Sequence, residues 1–135
     1  MIEFNYNAPT AEQWNQLVYY TSWQKHSNAT FETAIKNSLF FITAYDGNEI
    51  IGMIQVVGDG ILSFYLQYLI VIPKYRNQGI GRKLVEQALH KIEELANTDA
   101  MIALFTSSKN RPFYQKLGFI ERPNENQGPA MVYNL

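Results

Sequence analysis

The stretch Val71–Leu84, VIPKYRNQGIGRKL, constrains this chain more than any other. A β-branched run reaches Pro73, a turn containing Arg76, Gly79 and Gly81 follows, and a periodic helical pattern begins immediately. A helix that starts this way leaves its first backbone N–H groups without intrahelical acceptors, and its macrodipole adds about half a positive charge at the same end. The junction is therefore suited to hold an anion, most often a phosphate.

The elements around it read as one mixed sheet with flanking helices. Ile2–Tyr6 alternates apolar and polar residues as a short half-buried strand does. Thr10 and Gln13 form a capping-box pattern ahead of Trp14, Leu17, Val18 and Thr21, which share one helical face. A second helical segment covers roughly Phe31–Asn37. Leu39–Ala44 and Ile50–Val57 are β-rich runs joined by Asp46-Gly47-Asn48, and Gly58-Asp59-Gly60 leads into a third run, Ile61–Ile72. Strict alternation puts Leu62, Phe64, Leu66, Tyr68, Ile70 and Ile72 on one face of this third run. Ser63, Tyr65 and Gln67 roughen the other face, which should look into a cleft or at water.

After the glycine turn, Ile80, Leu84, Val85, Ala88, Leu89, Ile92 and Leu95 recur at helical intervals up to about Asn97. The short apolar strand Met101–Phe105 comes next, and a strand, helix, strand order of this length implies a parallel crossover. Pro112–Leu117 is a short helix with Gly118 as its left-handed cap, and Phe119 can fold back on Phe113 or Tyr114. Phe119–Glu121 and Ala130–Asn134 are expected as two final strands. The expected fold class is thus α+β, a mixed and mostly antiparallel sheet of six to seven strands with about four helices, formed by residues 1–135 as a single domain.

Composition removes several classes of function. The chain is 47% hydrophobic, enough to bury a core rather than stay disordered. Its net charge of -1 lacks the basic excess of a protein that neutralises phosphate backbones, so nucleic acid is not an expected partner. With no cysteine there is no thiolate nucleophile or zinc-thiolate site, and His26 and His90 stand in no metal-ligand spacing. No metal is expected. MIEFNYNAPT lacks a basic region followed by an apolar run, and no stretch approaches the ~18 apolar residues of a membrane span, so the expectation is a cytoplasmic protein with no membrane partner.

The turn RNQGIG is not a Walker loop, since no Gly-Lys-Ser/Thr ending follows, and it lacks the third glycine of the dinucleotide fingerprint. Glycine at a strand-to-helix turn can also serve geometry alone. Phe113-Tyr114-Gln115-Lys116-Leu117-Gly118-Phe119, about one strand further on, adds a second motif. Together the two segments resemble the GCN5-related N-acetyltransferase (GNAT) superfamily. The first matches its Arg/Gln-x-x-Gly-x-Gly/Ala signature and the second its Phe-Tyr-x-x-x-Gly-Phe signature. The element order is also similar, so the resemblance covers nearly the whole chain, in the N-terminal third by layout rather than by motif.

The resemblance implies acetyl-coenzyme A as cofactor. Its pyrophosphate would lie on the turn formed by Arg76, Asn77, Gln78, Gly79, Ile80, Gly81, Arg82 and Lys83. Its pantetheine arm would pair like an added strand near Leu69, Ile70 and Val71, where one backbone amide would hold the acetyl carbonyl. Tyr114 would sit near the sulfur as general acid. Ser107 stands where the family often has asparagine, and either Ser107 or the nearby Asn110 could touch the cofactor. Tyr20, Trp23, Phe31, Tyr65 and Gln67 are candidates for the acceptor site, although aromatic residues at helical spacing usually pack in a core. Many relatives carry a glutamate base on the central strand; this strand has none. Tyr65 and Gln67 could hold a relaying water, Glu32, Asp46 and His26 are remote, and no base is assigned.

The activity so implied is acetyl transfer to a primary amine of a small molecule by direct attack, in a monomer or homodimer. A coenzyme-A-binding regulatory domain without catalysis is the reading from another class, supported by the missing carboxylate. Acetylation of a protein amine is a third.

Overall fold

The computed structural model describes all 135 residues, and the chain divides into two compact units, Met1–Phe105 and Thr106–Leu135. The first contains β1 (Ile2–Asn5), α1 (Ala11–Val18), α2 (Asn28–Asn37), β2 (Phe40–Asp46), β3 (Glu49–Gly58), β4 (Ser63–Val71), α3 (Ile80–Leu95) and β5 (Met101–Leu104). The second contains one helix, α4 (Arg111–Lys116). No helix is long and apolar enough to cross a membrane.

Local chemistry sets the boundaries. Thr10 caps α1 as expected: its hydroxyl accepts the Gln13 N–H at 3.1 Å, and the Gln13 side chain accepts the Thr10 N–H at 2.9 Å. Helix α2 starts earlier than its apolar periodicity suggests, because the Ser27 hydroxyl accepts the Thr30 N–H and extends the first turn back to Asn28. Gly47, at φ +60, takes the first of two loop positions between β2 and β3, where a primed hairpin turn needs left-handed backbone. Three N–H groups, of Ile61, Leu62 and Ser63, converge on one carboxylate oxygen of Asp59 and hold that carboxyl below its usual range.

The sheet has five strands in the order β1-β2-β3-β4-β5, antiparallel except for the parallel β4–β5 pair that follows the α3 crossover. Six to seven were expected. The missing ones are Phe119–Glu121 and Ala130–Asn134, neither of which is a strand. An isolated extended segment has no stability without a ladder partner, so β-propensity there is capacity rather than structure. Between them the loop closes on itself, with the Arg122 guanidinium donating to the Gly128 carbonyl at 2.8 Å and the Asn124 N–H to the Gln127 carbonyl at 2.9 Å.

Helix α3 buries Ile80, Leu84, Val85, Ala88 and Ile92 against one sheet face. Gly52 permits this approach: a Cβ there would lie 3.2 Å from Leu84 Cδ1 and 3.0 Å from the Ile70 carbonyl oxygen. The opposite face lies under α1 and α2. There Trp14, 1% exposed, stacks on Phe31 with centroids 4.4 Å apart and meets Phe41 and Tyr68 edge-on. Strand alternation fails at Tyr68. The β3–β4 register shifts between Met53 and Gln55, and Tyr68 takes φ +54, so one extra β4 residue reverses the faces beyond it. Tyr68 consequently joins Trp14 instead of the Leu66 face.

The indole N–H of Trp14 is buried without a partner. Trp14→Ala should cost about 3–5 kcal/mol in urea unfolding. Trp14→Phe should cost markedly less, because it also removes an unsatisfied donor worth about 1–3 kcal/mol. Equal losses from the two variants would mean that the N–H does find an acceptor.

Candidate functional site

Strand β4 has partners on both sides for only part of its length. Its antiparallel ladder with β3 continues to Val71, but its parallel ladder with β5 ends at Leu66 opposite Leu104. Beyond Leu66 the edge of β4 that faces away from β3 is unpaired, so Leu69, Ile70 and Val71 lie where an extended ligand could add as a strand. The left-handed Tyr68 sits at the point where the strands part. A non-glycine residue held there stores strain of the kind that clusters at functional sites.

Ile72 then donates to the Ile51 carbonyl, and a 3-10 turn over Pro73–Tyr75 redirects the chain. Asn77 and Gly79 follow with φ +62 and +79. The first α3 hydrogen bond runs from the Lys83 N–H to the Gly79 carbonyl at 3.1 Å, which leaves Ile80, Gly81 and Arg82 N–H groups without intrahelical acceptors. A Cβ at Gly79 would meet nothing within 4 Å. The space over this turn is open, and no side chain caps the helix.

The basic side chains of the turn are engaged elsewhere. Arg76 donates to the Val71 carbonyl at 2.9 Å and so ties the turn to the end of β4. Arg82 faces Glu86 at 3.5 Å one helical turn on, and the Lys83 ammonium lies 4.8 Å from the centre of the Phe4 ring. Gln78 makes only a long contact, 3.4 Å, to the Lys74 carbonyl. The Tyr75 hydroxyl donates to Asp46 beside the β2–β3 turn, and this bond pushes the phenol up to about 12. Arg76 and Tyr75 thus tie the turn to the end of β4 and to Asp46.

The acceptor candidates fall in three places. Tyr65 and Gln67 share the α1/α2 face of β4 and bond each other, hydroxyl to amide oxygen, at 3.1 Å; the Tyr65 ring also meets Phe105 at 5.5 Å. Trp23 packs on Tyr68 at 5.0 Å, whereas Phe31, 2% exposed, belongs to the core with Trp14. Tyr20 lines a separate cleft of about 430 Å³ with Gln13, Gln16, Asn48 and Glu49. Burial raises both the Tyr65 and Tyr68 phenols, so neither is a base near neutral pH. Asp46 is occupied by Tyr75, and Glu32 and His26 are exposed. Tyr68 escapes sequence reasoning altogether, since no glycine or proline marks the bulge that turns it.

In the second unit, Ser107 precedes and Asn110 ends a 3-10 turn over Ser108–Asn110, and both are exposed, with the Asn110 N–H donating to the Ser107 carbonyl at 3.0 Å. Helix α4 ends in a Schellman closure: the Gly118 N–H donates to Gln115 and the Phe119 N–H to Tyr114, with Gly118 at φ +97. That closure brings Phe119 edge-on to Tyr114 at 5.8 Å, and Phe113 covers its other side at 4.9 Å. Burial pushes the Tyr114 phenol up to about 12.

The chain is similar to known proteins over most of its length. Residues 6–130 match the family described as "Acetyltransferase (GNAT) domain". Among solved structures, a probable acetyltransferase of unknown function from meticillin-resistant Staphylococcus aureus has TM-score 0.87 at 25% identity, covering 99% of this chain and 100% of that one. A GNAT family protein from Streptococcus pneumoniae has TM-score 0.83 at 31% identity, covering 100% and 98%. The curated relative "Histone acetyltransferase TAP1" from Glycine max is 27% identical over 117 residues, 78% of this chain and 50% of that protein. The chain spans about half the length of the first curated relatives it matches.

If backbone holds the phosphates, Gly81→Val should weaken coenzyme A binding at least tenfold by calorimetry, a change of about 1.4 kcal/mol. Lys83→Ala should cost less than that, since an exposed charge contributes only about 0–1 kcal/mol. The reverse ranking would place the affinity in the side chains.

Proposed function

Because the chain belongs to the acetyltransferase (GNAT) family through residues 6–130, we propose that it moves an acetyl group from acetyl-coenzyme A to a primary amine of a small molecule, by direct attack. The observation that carries this reading is the unpaired β4 edge beyond Leu66, which leads into a turn with unpartnered helical N–H groups. A ligand with an amide-bearing arm at one end and phosphates at the other fits that combination. Acetyl-coenzyme A, when bound, supplies the acetyl group as a thioester.

The residues divide the work as follows. The unpaired edge over Leu69, Ile70 and Val71 offers the arm those backbone groups that point away from β3, apart from the Val71 carbonyl that Arg76 already holds, and residues 76–83 hold the phosphates, chiefly by main-chain N–H groups. Ser107 and Asn110 are proposed as further cofactor contacts. One N–H of the segment after Tyr68 stabilises negative charge developing on the acyl oxygen, an effect of about 3 kcal/mol per donor. With no cysteine in the chain, no thiol is available to take the acetyl group first. Trp23, Tyr65 and Gln67 line the acceptor side in this reading.

Tyr114 acts at the sulfur. A phenol near 12 keeps its proton throughout the neutral range, and it lies well above the ordinary thiol value of about 8.5. Tyr114 therefore donates a hydrogen bond to the leaving sulfur rather than surrendering its proton completely. No side chain here is placed as a base, so the amine has to arrive neutral or lose its proton to water.

A protein amine is the second reading, favoured by the printed name of the Glycine max relative. Release of free thiol from acetyl-coenzyme A across a panel of small amines and histone-derived peptides tests both. Turnover confined to peptides overturns the small-molecule assignment, and silence with all acceptors despite coenzyme A binding overturns catalysis.

Tyr114→Phe should lower kcat about 10- to 100-fold, the loss of a hydrogen bond to charge of roughly 1.5–3 kcal/mol. Coenzyme A affinity should stay nearly unchanged. Since the Tyr114 proton leaves only near pH 12, the kcat profile should show no alkaline decline from this group at lower pH. Parallel losses in kcat and affinity would refute the role.

A further inference from the structure

The cleft of about 430 Å³ that Tyr20 lines lies between the C-terminal half of α1 and the turn joining β2 to β3, and all of its lining residues belong to Met1–Phe105. Its size falls within the roughly 300–1,000 Å³ of small-molecule sites. Leu17, Ile50 and Ile72, all buried, give it an apolar floor. Glu49 is the single charged side chain of the lining, and it takes part in none of the chain's ion pairs. Asp46, on the same turn, is held by Tyr75 and does not line the cleft.

Two further features act in the same sense as this carboxylate. Tyr19 is the C-cap of α1 and Tyr20 follows it, so the helix ends at the cleft, with no basic residue in its last turn to answer the roughly half negative charge of that end. Aromatic faces also attract cations, and the Tyr19 ring already lies 5.0 Å from the Lys25 ammonium. Tyr20 meets Tyr19 edge-on at 5.3 Å. A carboxylate, a helix C-terminus and phenol rings above an apolar floor all favour a cation with an apolar body, and none of them favours an anion. We propose that this cleft binds a small organic ammonium ion, its charged head beside Glu49 and Tyr20 and its alkyl groups over Leu17, Ile50 and Ile72. A quaternary ammonium meets this description as well as a primary one. It has no N–H and no lone pair to acetylate, so the site is tested apart from acetyl transfer.

Choline, titrated into the full chain without coenzyme A, should shift the amide resonances of Leu17–Tyr20 and Asn48–Ile50 and saturate at a concentration on the order of millimolar. Its neutral isostere, with carbon in place of the quaternary nitrogen, should bind about tenfold more weakly, having lost both the carboxylate and the ring attraction. Glu49→Gln and Tyr20→Leu should each weaken choline about threefold, and both residues are exposed, so neither change disturbs the core. Dispersion of the remaining resonances checks that each variant is folded; if neither is, the comparison with the isostere on the native chain decides alone. Equal binding of the isostere overturns the proposal, as do unchanged choline affinities in the folded variants. So do shifts that fail to saturate, that sodium chloride reproduces at the same ionic strength, or that centre on Trp23 and Tyr65.

Discussion

The structure depends on one accounting constraint: a backbone N–H or C=O withdrawn from water needs a partner. Most of the first unit meets it through the sheet ladders and α3. The interesting places are those where the ladder stops. Strand β4 loses its β5 partner after Leu66, α3 begins with three N–H groups that have no intrahelical acceptor, and β5 ends the sheet. The first two lie in succession along one strand and turn, which is why they together suit one long ligand rather than two small ones.

Side chains around this backbone hold it in place. Arg76 ties the turn to Val71, Tyr75 ties it to Asp46, and Lys83 lies over Phe4. A glycine-rich turn free to move would lose binding energy to ordering. Strain at Tyr68 belongs to the same economy of rigidity, because the residue is held left-handed by aromatic packing against Trp14 and Trp23.

Much of the architecture is legible from local rules. Thr10 and Gln13 announce α1, Asp46-Gly47-Asn48 the hairpin, the spacing from Ile80 to Ile92 the buried face of α3, and Gly118 the end of α4. Each signal acts within a single helix or one hairpin, so chain proximity suffices to produce it. The acceptor residues are less legible. Phe31 enters the core by stacking on the buried Trp14, whereas Trp23 packs on Tyr68 and stays partly exposed, and the positions of those two partners are set by the fold.

What the sequence by itself determined is the strand–turn–helix junction from Val71 to Leu84 and the paired motif ending at Phe119, since both rest on glycine, proline and helix-terminus geometry encoded within a few residues. Tertiary structure decided the rest. The bulge at Tyr68 reverses the faces of β4 with no glycine to announce it, because register is a property of two strands. The same holds for Phe119–Glu121 and Ala130–Asn134, which have the composition of strands and remain unpaired: composition can confer the capacity to pair, but a strand exists only where an edge receives it.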